Sequence, residues 1–471
     1  MKNKYSVVMA GDINSRLLQH LIREDQQEDL CFALYNPGAG LERYTGIIDE
    51  IIFPEEGDRQ IHGNVSFNPC YYERVLKLAK QKNKGVVFLH SHPWPGYQGM
   101  SYDDINAETQ MAGAVKSVTG FPLLGLTTGN DGTWCARFWF RTNGKKRNYK
   151  KKWCESVRVF GNQLKMYFND DLLKPSINEE ALMRTISAWG KKTQEDISRM
   201  KVVIVGLGSV GSIVAECLAR TGFAHFTLID FDLFEEKNRD RCMNVKQKDV
   251  GKRKVDVIAR AIKENGTAQR ITISKFPNSI YNEEAFKASL DGDVIFSCVD
   301  RPHPRQILNF ISYAYMIPVI DGGILVRTNK SNTKLIGADW KVQTVGYDRP
   351  CLECLDQFTA PLAAADKEGL LDDQSYMAGA DESLHRMKAN ENVFAFSLNV
   401  ASLEVLQLIS LMVLPEYLAK VKQQFYHFTL REFEKDIPEQ CKNNCFYKAI
   451  TAMGDNAGVI MYQHRAPSLS I

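Results

Sequence analysis

No segment of this 471-residue chain approaches the ~20 consecutive apolar residues that cross a bilayer. The most apolar stretch, around Val400 to Val413, is interrupted by Ser402, Glu404 and Gln407 and reads as a buried helix, so no membrane contact is expected. The first residues, Met1 to Ser6, lack an apolar signal core with a cleavage site. Charge of one sign is also lacking. The 59 Lys and Arg against 56 Asp and Glu leave a net +3, which gives no global electrostatic case for nucleic acid. One basic run, Lys145 to Lys152, is the exception and reads as a solvated domain linker. Eleven cysteines make an odd count with no small disulfide framework. A reducing cytoplasm is expected, where thiols stay free or bind metal. Internal repeats and low-complexity tracts are absent.

The length is too great for one ordinary core and calls for two or three domains. Residues 1–155 alternate short strand patterns (Cys31–Tyr35, Gly46–Phe53, Gly85–His90, Leu123–Thr128, Thr133–Trp139) with helical ones (Ser15–Arg23, Tyr71–Gln81, Asp103–Val115). That pattern predicts a mixed α/β domain. A linker is expected over 156–178 and a second domain over 179–471. The second begins with a helical pattern from Glu179 to Trp189. From Lys201 it switches to strand, glycine turn, helix and strand, the pattern of a Rossmann-like, doubly wound parallel sheet.

In the first domain, His90 and His92 end an apolar strand, and strand alternation sends both imidazoles to one face. Asp104, a short loop later, completes three protein ligands and leaves the fourth position open, as a catalytic zinc requires. Ser101 lies where a hydroxyl can stabilise an oxyanion. The string His90-Ser91-His92-Pro93 followed by Ser101-Tyr102-Asp103-Asp104 resembles the JAMM (JAB/MPN) signature of zinc isopeptidases that remove ubiquitin-like modifiers. That resemblance implies a glutamate general base on an early strand. Glu28 is the best match, ahead of Glu24 and Glu42. The loop from Pro93 to Gly99 is one residue longer than is usual in that family.

In the second domain, Val202–Val205 runs into Gly206-Leu207-Gly208-Ser209-Val210-Gly211. Backbone N–H groups at such a turn favour a phosphate, and the small residues let the backbone approach it. Asp230 and Asp232 end the next strand, placed for ribose hydroxyls. Asn238, Arg241 and Lys254 follow, and a later strand ends on Asp300, with Arg305 and Asn309 beyond it. A hydride transferase has little need of two cations and a strand-end aspartate around its pyrophosphate. An enzyme that cleaves ATP between the α- and β-phosphates does.

This series resembles the ThiF/MoeB and ubiquitin-activating adenylyltransferases. The resemblance implies that Asp232 binds ribose, that Asn238, Arg241 and Lys254 bind the phosphates, and that Asp300 holds magnesium. It also implies that Arg184 reaches into a neighbouring subunit's ATP site, so that a homodimer is expected. Cys351 and Cys354, with Cys441 and Cys445, resemble that family's structural zinc site. Many relatives carry a nucleophilic cysteine after the first pair. Here none lies between Phe358 and Cys441, and Thr359 to Glu382 reads as a polar crossover loop.

The combined expectation is a bifunctional chain using ATP, magnesium and both catalytic and structural zinc. Its partner is expected to be a ubiquitin-like, β-grasp protein, with a conjugating enzyme beside it, as in bacterial ubiquitin-like conjugation systems, some tied to antiphage defence. The alternative is an adenylyltransferase of sulfur-carrier or peptide-modification metabolism.

Overall fold

Alternation of β-branched strands with amphipathic helices builds two large sheets, one in each of two units. The computed structural model describes residues 4–62, 64–142, 148–329, 331, 334–373, 391–415, 418, 422–434 and 440–458. The first unit comprises Met1–Lys174, Ala314–Met316 and Ile450–Gly458. The second holds Pro175–Tyr313 and Ile317–Ala449.

The strands of the first unit are β1 (Lys4–Ala10), β2 (Leu30–Ala39), β3 (Arg43–Ile52), β4 (Arg59–His62), β5 (Asn64–Phe67), β6 (Gly85–Ser91), β7 (Leu123–Thr128), β8 (Trp134–Arg141), β9 (Tyr149–Trp153), β10 (Ser156–Phe160) and β11 (Leu164–Phe168). Its helices are α1 (Gly11–Leu21), α2 (Pro69–Lys82) and α3 (Tyr102–Thr119). Nine strands form one mixed sheet in the order β11-β10-β1-β3-β2-β6-β7-β8-β9, and β4 and β5 form a separate pair. Local sequence sets the helix ends. Asn68 caps α2 by accepting the Cys70 N–H, Pro69 occupies the first turn, and Asn83 stops the helix at φ 54. Ser101 and Asp104 form a capping box on α3, which Gly120 closes at φ 79.

Two expectations fail here. The segment 156–178, read as a linker, supplies β10 and β11. β10 pairs in parallel with β1, Ser6 opposite Ser156, so the sheet is incomplete without it. Two five-residue strands, one wholly buried and one buried only at its ends, are too short a signal to stand out beside polar neighbours. The basic run likewise is not wholly a linker. Residues 143–147 lie outside the described residues, but Tyr149–Trp153 forms the edge strand β9, paired with β8. Lysines on an edge strand discourage pairing with another chain.

In the second unit the strands are β12 (Lys201–Val205), β13 (His225–Ile229), β14 (Thr272–Phe276), β15 (Val294–Ser297), β16 (Val319–Thr328), β17 (Leu335–Val345), β18 (Gln424–His427) and β19 (Glu432–Phe433). The helices are α4 (Met183–Trp189), α5 (Lys191–Arg199), α6 (Ser209–Arg220), α7 (Lys254–Asn265), α8 (Glu283–Ser289), α9 (Pro302–Ala314), α10 (Ala360–Lys367), α11 (Phe394–Val413) and α12 (Phe446–Ala449). The sheet order is β14-β13-β12-β15-β16-β17-β18-β19. Its first five strands are parallel and the rest antiparallel. The chain leaves β12 toward β13 on one side and returns to β15 on the other. That reversal is the topological switch point where doubly wound sheets bind ligands.

By length and composition α11, with a mean hydropathy of 1.6, is apolar enough to cross a membrane. Here it packs against α6, β16 and β17. Its polar side chains find partners there: Asn399 accepts from the Trp340 indole at 2.8 Å and Gln407 from the Thr344 hydroxyl at 2.8 Å.

Candidate active sites of the two units

The antiparallel register of β2 and β6 places Leu30 opposite His90. Glu28, two residues before Leu30, lies close enough to His92 and His90 for their charges to act on its carboxyl. The junction is fixed by Asp29 and Ser91, which exchange backbone and hydroxyl hydrogen bonds at 3.0 Å. Asp29 is itself buried and pairs with Arg59 at 2.7 Å. His90 Nε2 and His92 Nε2 lie 3.2 Å apart. Asp104 completes the group, 3.2 Å from His90 and 3.4 Å from His92. All three donor atoms lie within 4.8 Å of one another. Two imidazole nitrogens this close repel when both present lone pairs, unless a cation or a proton lies between them. The donor set therefore fits zinc, which takes His nitrogen and carboxylate oxygen.

The charges agree with that arrangement. Burial opposes ionisation of Asp104, yet hydrogen bonds from His90 and His92 hold its carboxyl far below the usual range. Burial works against a charged His92, but Asp104 prevails and raises its pKa. Burial raises the carboxyl pKa of half-buried Glu28, against the pull of His92 and His90. Ser101 is exposed, and its oxygen accepts the Asp104 N–H at 3.1 Å. The hydroxyl thus holds the helix start that carries Asp104, and its own proton is still able to donate.

One participant is absent from the residues that sequence reasoning selected. Gln98 is buried, accepts from His92 Nδ1 at 3.3 Å and donates to the carbonyls of Trp94, Pro95 and Gly96. It leaves His92 Nε2 unprotonated toward the ligand cluster and ties down the longer loop. Nothing in its local sequence marks Gln98, because its role depends on the loop's return path.

In the second unit the glycine turn follows β12 as expected. Gly206 has φ +86, and a Cβ there would lie 2.4 Å from the Cys298 carbonyl; one on Gly211 would lie 1.9 Å from the Gly206 carbonyl. Both positions therefore require glycine, whereas Gly208 faces open space. The carboxylate of Asp230 accepts the Leu207 and Asp232 N–H groups at 2.6 and 2.8 Å, which fixes the turn rather than facing ligand. Asp232 meets Lys254 at 2.7 Å. Burial works against charge on Lys254, but Asp230 and Asp232 raise its pKa. Parallel pairing of β12 with β13 and β15 brings Asp232, the glycine turn and exposed Asp300 to one sheet end.

The other expected phosphate ligands are engaged locally. Asn238 Oδ1 accepts the Glu235 N–H at 2.9 Å, and Arg241 donates to the Lys237 carbonyl at 2.5 Å and to Asp240 at 3.1 Å. Of the two residues beyond Asp300, Arg305 pairs with buried Asp321 at 3.2 Å, and Asn309 accepts the Leu352 N–H at 2.9 Å. Arg184 is exposed on α4. The first part of the expected crossover loop is ordered. Arg301, next to Asp300, donates to Asp366 on α10 at 2.7 Å and to Asp372 at 2.9 and 3.0 Å. Residues 374–382 of that expected loop lie outside the described residues. At the other end, Asn392 donates to Ser209 in the glycine turn at 3.0 Å.

The sulfur atoms of Cys351, Cys354, Cys441 and Cys445 cluster within 4.8 Å. The Cys351 N–H points at Cys441 Sγ at 3.2 Å and the Cys354 N–H at Cys351 Sγ at 3.3 Å. N–H donors of this kind favour thiolates, and four thiolates make a closed tetrahedral zinc site. Hydrogen bonding with Cys351 lowers Cys441 to about 5, and the same contact pushes Cys351 up. Cys242, the thiol beside Arg241, is raised to about 11 by burial and is a poor nucleophile.

Residues 181–445 match the model of the ThiF family. The molybdopterin-synthase adenylyltransferase of Escherichia coli (strain K12) is 28% identical over 182 residues, 38% of this chain and 67% of that protein. The adenylyltransferase and sulfurtransferase UBA4 of Meyerozyma guilliermondii is 26% identical over 171 residues, 36% of this chain but 37% of its own length. The tRNA threonylcarbamoyladenosine dehydratase of E. coli K12 is 28% identical over 142 residues, 30% of this chain and 52% of that protein. The chain thus spans about a third to two thirds of the length of these relatives. A crystal structure of E. coli MccB with ATP covers 57% of this chain and 74% of its own at 18% identity, with a TM-score of 0.42. The family match takes in more than half of the 471 residues, and the chain belongs to the ThiF family.

Proposed function

We propose that the chain is bifunctional, with a zinc (iso)peptidase in the first unit and an ATP-dependent adenylyltransferase in the second. The substrate of both is the C-terminal tail of a ubiquitin-like protein. The observation that carries the first half is the convergence of His90, His92 and Asp104 beside half-buried Glu28. Family membership and the switch-point cluster of Asp232, Lys254 and the glycine turn carry the second.

Zinc held by His90, His92 and Asp104 would supply Lewis acidity toward the scissile carbonyl and the attacking water. Glu28 takes the proton of the attacking water and passes it to the departing amine. Ser101 donates to the oxyanion from the helix start. In the second unit, backbone N–H groups of the glycine turn hold the triphosphate, Lys254 offsets its charge, Asp232 binds ribose, and Asp300 binds magnesium. Asn238 and Arg241 turn from their local partners to the phosphates. The substrate carboxylate attacks the α-phosphorus, an acyl–phosphate bond forms, and pyrophosphate leaves. Arg184 serves the ATP site of a second copy. With no cysteine from 359 to 440, the acyl-adenylate passes directly to a partner's nucleophile.

The second reading replaces the modifier with a sulfur carrier or a peptide. The names of the molybdopterin-synthase and sulfurtransferase relatives favour it. ATP–pyrophosphate exchange with candidate β-grasp proteins tests the adenylation claim. Exchange should appear with the correct carrier and vanish in Asp300→Ala. Exchange undiminished in that variant removes Asp300 from the mechanism.

A further inference from the structure

We propose that the buried Glu108–Arg137 pair, with Thr127, positions the metal ligands of the first unit; this rests on the zinc reading given above. Glu108 lies four residues after Asp104 on α3, and that spacing puts both carboxylates on one helix face. Asp104 points to the two histidines. Glu108 points into the sheet beneath them and is fully buried.

Three donors of β8 meet the Glu108 carboxylate. Arg137 Nε donates to Oε2 at 3.0 Å, Arg137 Nη2 donates to Oε1, and the Trp139 indole donates to Oε2 at 2.5 Å. The remaining Arg137 nitrogen, Nη1, donates to Thr127 Oγ1 at 2.5 Å. Thr127 stands directly across the β6–β7 register from His90, with its hydroxyl 3.4 Å from His90 Nε2. Gly125 makes the room, since a Cβ there would lie 2.4 Å from Glu108 Oε2 and 2.8 Å from Arg137 Nε.

Two observations give this network a function. The histidines are supported differently. His92 is oriented through Nδ1 by Gln98, whereas His90 Nδ1 is buried with no hydrogen-bond partner among the described residues. A metal-binding imidazole is ordinarily aimed by an acceptor at its second nitrogen. Lacking one, His90 depends on its strand and on the Phe88 ring at 5.4 Å. Second, both charges of the pair are fully buried. Such a pair is a poor source of stability compared with apolar side chains of similar size, so its worth lies in fixed geometry. It holds α3, and with it Asp104, at one height over the sheet. Through Thr127 it is also tied to β7, the strand paired with the β6 segment that carries His90. Glu108, Arg137 and Thr127 are positioning residues and touch no reacting atom.

The test is zinc affinity, measured by competition with a chelating dye in the full-length protein, for the zinc equivalent that His92→Ala abolishes. Glu108→Leu/Arg137→Met replaces the pair with apolar bulk and should keep a thermal midpoint near that of the wild type. Its affinity at this site should fall ten- to a hundred-fold. Thr127→Val should fall in the same direction, and Thr127→Ser should restore it. If the double variant does not fold, the Thr127 pair decides. Wild-type affinity in either folded variant overturns the proposal. A wild-type protein that holds no zinc at His90, His92 and Asp104 defeats the peptidase reading itself, an outcome distinct from variants that bind as tightly as an occupied wild type.

Discussion

At the residue scale, charged groups in this chain are set by their immediate partners. Asp249 has a fully buried side chain that accepts from Arg260 at 2.7 and 2.8 Å and from Lys252 at 3.2 Å. The Arg260 hydrogen bonds hold its carboxyl well below the ordinary range. A depressed carboxyl contributes stability above its unfolded pKa, near ~4, and loses that contribution as pH falls toward the folded value. Asp249→Asn should therefore be about 1–2 kcal/mol less stable than the wild type at pH 7 and approach it as pH falls below ~4, read from urea midpoints across that range. Equal gaps at both pH values would refute the linkage. The residues that carry this effect are visible in the sequence only as ordinary surface-type charges. So are Glu108 and Arg137, which lie 29 residues apart; Gln98 has near partners, but only the return of its loop brings it to them. His90, His92 and Asp104 were legible because their spacing encodes geometry: alternation on a strand, then one short loop to a capped helix.

At the element scale, two turns decide the sites. Gly206→Ala places a methyl group 2.4 Å from the Cys298 carbonyl at φ +86. We expect a loss of roughly 2–4 kcal/mol in thermal or chemical unfolding, since both backbone strain and a clash with backbone are incurred. Ser101→Ala removes the cap of α3 and should cost about 1 kcal/mol. On the peptidase reading proposed above, turnover in the same variant should fall by more than the stability change explains, because that reading makes Ser101 the oxyanion donor. A Ser101→Ala protein with full turnover would confine Ser101 to capping. The glycine turn was readable from sequence because its constraint is local. The identity of β10 and β11 was not, because β10 pairs with β1, some 150 residues earlier, and β11 in turn pairs with β10.

At the scale of the whole molecule, the first unit draws on chain well beyond residue 155. β10 covers the edge of β1, and residues 450–458 lie against β2, where Asn36 donates to the Ala452 carbonyl at 3.0 Å and Ala39 N–H donates to Asp455 at 3.1 Å. A fragment ending at Glu155 should expose the β1 edge and aggregate, whereas one ending at Lys174 should stay dispersed longer, as size-exclusion profiles will show. Two zinc ions per chain are expected by elemental analysis, one in His92→Ala and one in Cys354→Ser. A count of one in the wild type would leave one of the two clusters without its metal.

The sequence by itself determined those features whose physics is short-range. These are the strand and helix periods, the capped start of α3, the glycine turn after β12, the paired histidines and the cysteine pairs. Only the tertiary structure decided which distant groups share a buried volume. It brought Glu28 near His92, joined Arg137 to Thr127, brought Cys441 to Cys351, and made strands of an expected linker. The reason is that local preferences depend on neighbours within a few residues, whereas burial and charge pairing depend on how sheets bring together segments far apart in the chain.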